Sequence, residues 1–207
     1  MGILAKDQKA DIAQTLSWLL SEPDVEMVKA LKEREIYRLF DQYFKMAHGE
    51  APAMGGFLPQ QEQEDLLRMM REEYYRLFKD PGIRDFWWIE SVHKAWTKDP
   101  ECRLSMAKEK GCVMGDSALH MIDLYRAMGM EVPEEFSGLP DHIVLELEFL
   151  AFLFEKSLAE DAVKTFLNDH FDWVPDMVKR GKTYRPSSFY VSVLDSLERF
   201  IESERMN

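Results

Sequence analysis

Apolar residues recur at helical spacing from one end of this chain to the other, and no stretch sustains the period-two alternation of a half-buried strand. That property alone confines the fold to packed helices. Ile12, Leu16, Leu19 and Leu20 form one stripe, closed by Ser21-Glu22-Pro23-Asp24. A second runs through Val25, Val28, Leu31, Ile36, Leu39, Phe40, Tyr43 and Phe44. Glycines and prolines make Ala47–Pro59 the first long loop. A third stripe, Leu66 to Phe78, stops at Asp80-Pro81-Gly82. The spacing then predicts a helix over Ile83–Thr97, unusually rich in aromatics, and another over Cys112–Met128, ended by Gly129 and Pro133. After the loop Glu134–Pro140 come a very apolar helix, Asp141–Leu158, and two more segments, Asp161–Asp172 and Ser187–Glu204. Composition agrees: 22 Leu, 22 Glu, 14 Ala and 13 Met stand against 4 Thr, a balance that favours helix over strand. The expectation is an all-α, single globular bundle of about eight to ten helices, one domain over 1–207 with a hinge between halves near 131–140.

With 38 Asp and Glu against 26 Lys and Arg, the 207-residue chain carries a formal charge of −12. Such a surface repels phosphate backbones and anionic headgroups, which argues against nucleic acid and membrane surfaces and favours cationic partners. Cys102 and Cys112 have none of the spacings of a zinc or iron–sulfur site and read as free thiols of a reducing compartment. Met1–Asp7 lacks the features of a signal peptide, and Lys6 stands where myristoylation would want Ser or Thr. Val144–Phe154 is only about half the ~20 residues of a membrane helix and contains Glu146 and Glu148. A cytoplasmic protein with no stable membrane insertion is expected.

On a helical wheel of the Asp141–Leu158 segment, Leu145, Phe149, Leu153, Leu150, Ile143 and Leu147 fall in one broad apolar arc. Glu148 and Glu155 lie together outside it, as a solvated edge should. Glu146 falls in the middle of the arc, and His142 lies one turn before it on the same face. A carboxylate so placed must be paired, line a wet pocket or hold its proton, because an unpaired buried charge costs several kcal/mol. Either His142 and Glu146 satisfy each other as an i, i+4 pair, or Asp141, His142 and Glu146 floor an apolar groove suited to a ligand with cationic and hydrophobic parts. Glu90-Ser91-Val92-His93 is a single Glu-x-x-His, whereas a di-iron bundle needs two and further carboxylates, so no metal is expected. No nucleophile elbow, phosphate loop or dinucleotide fingerprint occurs. No catalytic residue and no cofactor is assigned. The runner-up is a helical small-molecule-binding protein or enzyme using a His142/Glu146 pocket.

Four local patterns, in order, carry a resemblance: Tyr75-Arg76-Leu77-Phe78; Trp88-Ile89-Glu90-Ser91-Val92; Leu139-Pro140-Asp141-His142 and the helix it opens, with Glu146 one turn on; and Phe166 to Pro175. Together, over about Tyr74–Met177, they resemble the TorD/DmsD/NarJ family of redox-enzyme maturation chaperones. The resemblance implies a non-enzymatic chaperone that binds the twin-arginine signal peptide or N-terminal region of a molybdopterin oxidoreductase catalytic subunit. It assists cofactor insertion and delays export until folding is complete, as a monomer or as a dimer exchanging helical halves. It assigns Leu77, Phe78, Trp88, Glu90, Ser91, Asp141, His142 and Glu146 to the peptide-binding region. Trp87 joins them because two adjacent tryptophans diverge by about 100° on a helix and cannot both face one core. Leu77, Phe78 and Trp88, at helical spacing, suit a core better than a ligand contact, since large apolar residues are mostly buried for packing. His170, on an apolar face with Phe166 and Val174, reads as a structural histidine with a local partner.

Overall fold

The structure, a computed structural model, describes residues 6–79, 88–156 and 159–206. Among these residues lie ten α-helices and no sheet: α1 (Lys6–Leu19), α2 (Val25–Lys32), α3 (Glu35–His48), α4 (Gln63–Tyr74), α5 (Glu90–His93), α6 (Asp116–Ala127), α7 (Ile143–Glu155), α8 (Glu160–His170), α9 (Val174–Thr183) and α10 (Ser188–Met206). The all-helical expectation holds. At the centre is α7, where only Glu148 and Glu155 are exposed and Phe152 is half-buried, while Glu146 is fully buried as the wheel requires. The long face of α1, with Ile12, Ala13, Leu16 and Leu19, lies along α7. One contiguous apolar core runs from Ala10 in α1 to Ile201 in α10.

Local chemistry explains where the elements depart from the stripes. The second stripe is split because Arg34 adopts a left-handed conformation (φ 61°) between α2 and α3. The third continues past α4 as a π-helical turn, Tyr75–Lys79. The expected helix over Ile83–Thr97 is corrected: Ile83–Trp87 lies outside the described residues, and within 88–97 only the single turn of α5 is helical. The backbone around Trp88–Glu90 bonds across the molecule instead of along a helix. Trp96 and Thr97 are tied to the loop that follows, their N–H groups donating to Glu109 and Ala107. The helix expected from Cys112 starts at Asp116, because Gly111 and Met114 have positive φ and the Asp116 carboxylate accepts from Lys98 N–H (2.7 Å) and the Thr97 hydroxyl (3.0 Å). A Cβ on Gly115 would sit 2.5 Å from the Trp96 carbonyl oxygen, so that crossing demands glycine. Gly56 is equally constrained: its Cβ would fall 2.0 Å from the Ser188 carbonyl oxygen, where the Gly55–Phe57 turn packs on α10. The stripe reading did not resolve α9 as a separate helix; its signal is Pro175, placed in the first turn where a missing N–H costs nothing. Cys102 and Cys112 are free and half-buried.

Candidate functional site: a buried clasp on the central helix

Two segments far apart in sequence are stitched together at the start of α7. Glu90 N–H donates to the Asp141 carbonyl (3.0 Å) and Ile143 N–H to the Trp88 carbonyl (3.0 Å), an antiparallel bridge between Ile89 and His142. Asp141 reinforces it: its Oδ2 accepts from Ser91 N–H (2.7 Å) and from the Ser91 hydroxyl. Tyr125 Oη donates to the Pro140 carbonyl (2.9 Å), bringing α6 into the same knot. Asp141 is fully buried, and burial raises its pKa against the lowering effect of the Ser91 bonds.

His142 caps α7. Its Nδ1 accepts from Val144 N–H (3.2 Å), which places the proton of the neutral ring on Nε2, and the ring packs on Phe136 (4.9 Å between centroids). Burial, helped by the charge of Lys79, pushes its pKa down to about 3, so the ring is neutral. His142 and Glu146 therefore do not partner each other through their side chains, although the Glu146 N–H bonds the His142 carbonyl one turn back (3.1 Å).

The Glu146 carboxyl instead meets Glu90 and His170, the three offering ligand-type atoms within 4.8 Å of one another. Among the described residues neither Glu146 oxygen accepts a hydrogen bond. Burial, then the neighbouring Glu90 charge, raises the Glu146 pKa well above the ordinary carboxylate value, which favours the protonated acid beside a charged Glu90. Burial also disfavours ionised Glu90, but hydrogen bonds from His170 and Glu146 and the Lys94 ammonium outweigh it and hold Glu90 charged. Lys94 Nζ ion-pairs with Glu90 (2.5 Å) and Asp172 (2.6 Å). His170 Nδ1 lies 2.8 Å from Glu90 Oε2, and its Nε2 lies 2.8 Å from Nδ1 of the exposed His120. Trp173 Nε1 donates to the His170 carbonyl (2.7 Å). Glu90, Glu146 and His170 are the residues that could hold a metal ion, but the Lys94 ammonium already compensates Glu90. The described chemistry is that of a cross-brace between α5, α7 and α8.

The sequence-derived residues thus come together, but inside the molecule. Ser91, Glu90, Asp141, His142 and Glu146 are all buried, as are Leu77, Phe78 and Trp88, with Phe78 packed on Trp88 at 5.1 Å between ring centroids. Trp87 lies outside the described residues. Sequence reasoning missed Lys94 and His120, and it gave His170 a local partner where the structure supplies Glu90, 80 residues away. The available signal was Lys94 itself, one helical turn after Glu90.

The bundle thus seals its functional-looking side chains from solvent and leaves its helical surface as the part a partner would meet. The family profile described as nitrate reductase delta subunit matches residues 29–179, well over half of the chain, and the chain belongs to that family of NarJ/TorD-type redox-enzyme maturation chaperones. The match spans all four patterns that carry the resemblance. Searches of curated proteins and of solved structures gave no significant match. No helix among the described residues is long and apolar enough to cross a membrane.

Proposed function

We propose that this chain is a cytoplasmic chaperone that binds the twin-arginine signal peptide or N-terminal region of a molybdenum-cofactor oxidoreductase catalytic subunit, assisting cofactor insertion and delaying export until the client has folded. The observation that carries this reading is the convergence of the four family patterns on one place. Phe78 packs on Trp88, the segment after Trp88 is stitched to Asp141, and Glu90 is stitched to His170. The formal charge of −12 supplies the complement to a basic leader. In this reading the buried residues Leu77, Phe78, Trp88, Glu90, Ser91, Asp141, His142 and Glu146 set the relative positions of α4 to α8. The leader then meets the surface those helices present, with Trp87 as a further contact. The Glu131–Pro140 connection is the hinge about which halves would move or exchange between protomers.

The test is co-purification of the tagged full-length protein from its own host grown anaerobically. A molybdopterin-enzyme catalytic subunit with a paired-arginine leader should be recovered with the wild type and lost with Asp141→Ala/His142→Ala, the fold of the variant being checked by circular dichroism. Folded wild-type protein that recovers no such subunit would overturn the proposal.

A further inference from the structure

Two surface hollows, about 540 and 320 Å³, share one lining residue, Glu148. The larger lies against α1, with Asp11 and Trp18 in its wall and Leu39 of α3 beside them. The smaller is apolar, built from Met130, Val132, Leu145 and Phe149, with Glu131 at its rim. Among the described residues, neither hollow has a lysine, arginine or histidine in its lining.

Glu148 itself is short of compensation. Among the described residues its one side-chain hydrogen bond is a long one, accepted from the Ser17 hydroxyl (3.4 Å). Partial burial and the charge of Glu135 both work against its ionisation. A cation placed there would relieve that cost, and arginine suits it best, because a planar guanidinium engages a carboxylate through two parallel hydrogen bonds. The hollow beside it is apolar, so the complementary ligand has arginine followed closely by apolar side chains. The trough is also joined to the clasp: Tyr125 lines the smaller hollow while its hydroxyl holds the Pro140 carbonyl, and Phe149 packs edge-on against the same ring (5.5 Å).

Building on the proposed function, we propose that the trough centred on Glu148, between α1 and the Met130–Pro133 segment, docks the paired-arginine and apolar part of the client leader, with Glu148 pairing a guanidinium. The experiment measures binding of a synthetic peptide carrying two adjacent arginines and an apolar run to the full chain by fluorescence anisotropy, at low and at physiological salt. Glu148→Gln should weaken binding about fivefold, near the upper range for one exposed ion pair, and Glu148→Arg by more than about tenfold with a flattened salt dependence. Glu101→Arg, an exposed site in the loop before α6, should bind as the wild type does. If the wild type binds and both Glu148 variants bind equally well, or if Glu101→Arg weakens binding as much as Glu148→Arg, the trough is wrong while leader binding stands. If the folded wild type binds no such peptide at either salt, the functional reading fails, and the trough assignment with it.

Discussion

Glu146 and Glu148 are two residues apart on α7 and do opposite things. Glu146 points into the core, where burial favours its protonated form beside the Glu90 carboxylate that His170 and Lys94 share. Glu148 points outward and lines two hollows, with one long side-chain bond, from Ser17, among the described residues. The helical period alone separates them, turning two identical side chains to nearly opposite faces. What the difference teaches is a division of labour along one helix: the inner face fixes where the surrounding helices stand, and the outer face is left electrostatically incomplete. A protein that recognises a partner needs both, because a surface with unmet charge is selective only if the elements bearing it are held rigid.

The strongest way to break this contrast is to remove the charged member of the inner brace. Glu90→Ala removes the buried carboxylate that Lys94 and His170 share, leaving Lys94 to Asp172 and His170 to His120, and breaking a buried pair from one side typically costs about 3–5 kcal/mol. Glu148→Ala, at the exposed edge, should stay within about 0.5 kcal/mol of wild type. Urea unfolding of both variants checks this, and comparable losses would erase the distinction between the two faces. Asp141→Ala comes next. It leaves the Ser91 N–H and hydroxyl without their buried acceptor, an expected loss of about 2–3 kcal/mol on the same measurement.

Much of this was legible in the sequence. The wheel placed Glu146 inside and Glu148 and Glu155 outside because α7 is regular and nearly all apolar, so one period decides every residue. The stripe of α10 was equally clear, with Tyr190, Val193, Leu194, Leu197, Phe200 and Ile201 all buried. Legibility ended where the backbone is held by distant partners. Trp88 and Ile89 look helical by composition, yet their neighbourhood is fixed by hydrogen bonds to residues 141–143. His142 and Glu146 share a face by arithmetic, but a cap hydrogen bond turns the imidazole toward Val144 and Phe136 while the carboxyl finds Glu90. The period gives the direction in which a side chain leaves the helix; it does not give the identity of what waits there. For His170 that partner sits on α5.

Titration sharpens the comparison by a smaller amount. Glu90 and His142 have folded-state pKa values below their unfolded ones, so the stability they contribute is present above the unfolded values and lost as pH falls. For His142 the window runs from about 6.5, the unperturbed value, down to about 3. For Glu90 it lies below the ordinary carboxylate value. Glu146 has the opposite sign: its folded pKa is raised, so its contribution is full below the unfolded value and declines as pH rises. Wild-type stability should therefore fall on both sides, with His142 and Glu90 on the acid limb and Glu146 on the other. Denaturant midpoints across pH 2 to 9 would show it.

The smallest effect is the most discriminating. If Glu146 carries its proton in the folded state, Glu146→Gln substitutes one neutral donor for another, with the amide N–H taking the place of the carboxyl proton toward Glu90. At neutral pH the change should be under about 1 kcal/mol, in contrast to Glu90→Ala, because the buried donor–acceptor pairing is retained. The sign of its pH dependence then decides the matter. Glutamine does not titrate, so the variant lacks the decline that Glu146 imposes as pH rises, and the difference between variant and wild type should shift steadily in the variant's favour toward alkaline pH. A difference that stays flat across that range would mean that Glu146 is already ionised in the folded protein. The brace would then be held by charge alone, and the inner carboxyl would resemble the outer one far more than the structure shows.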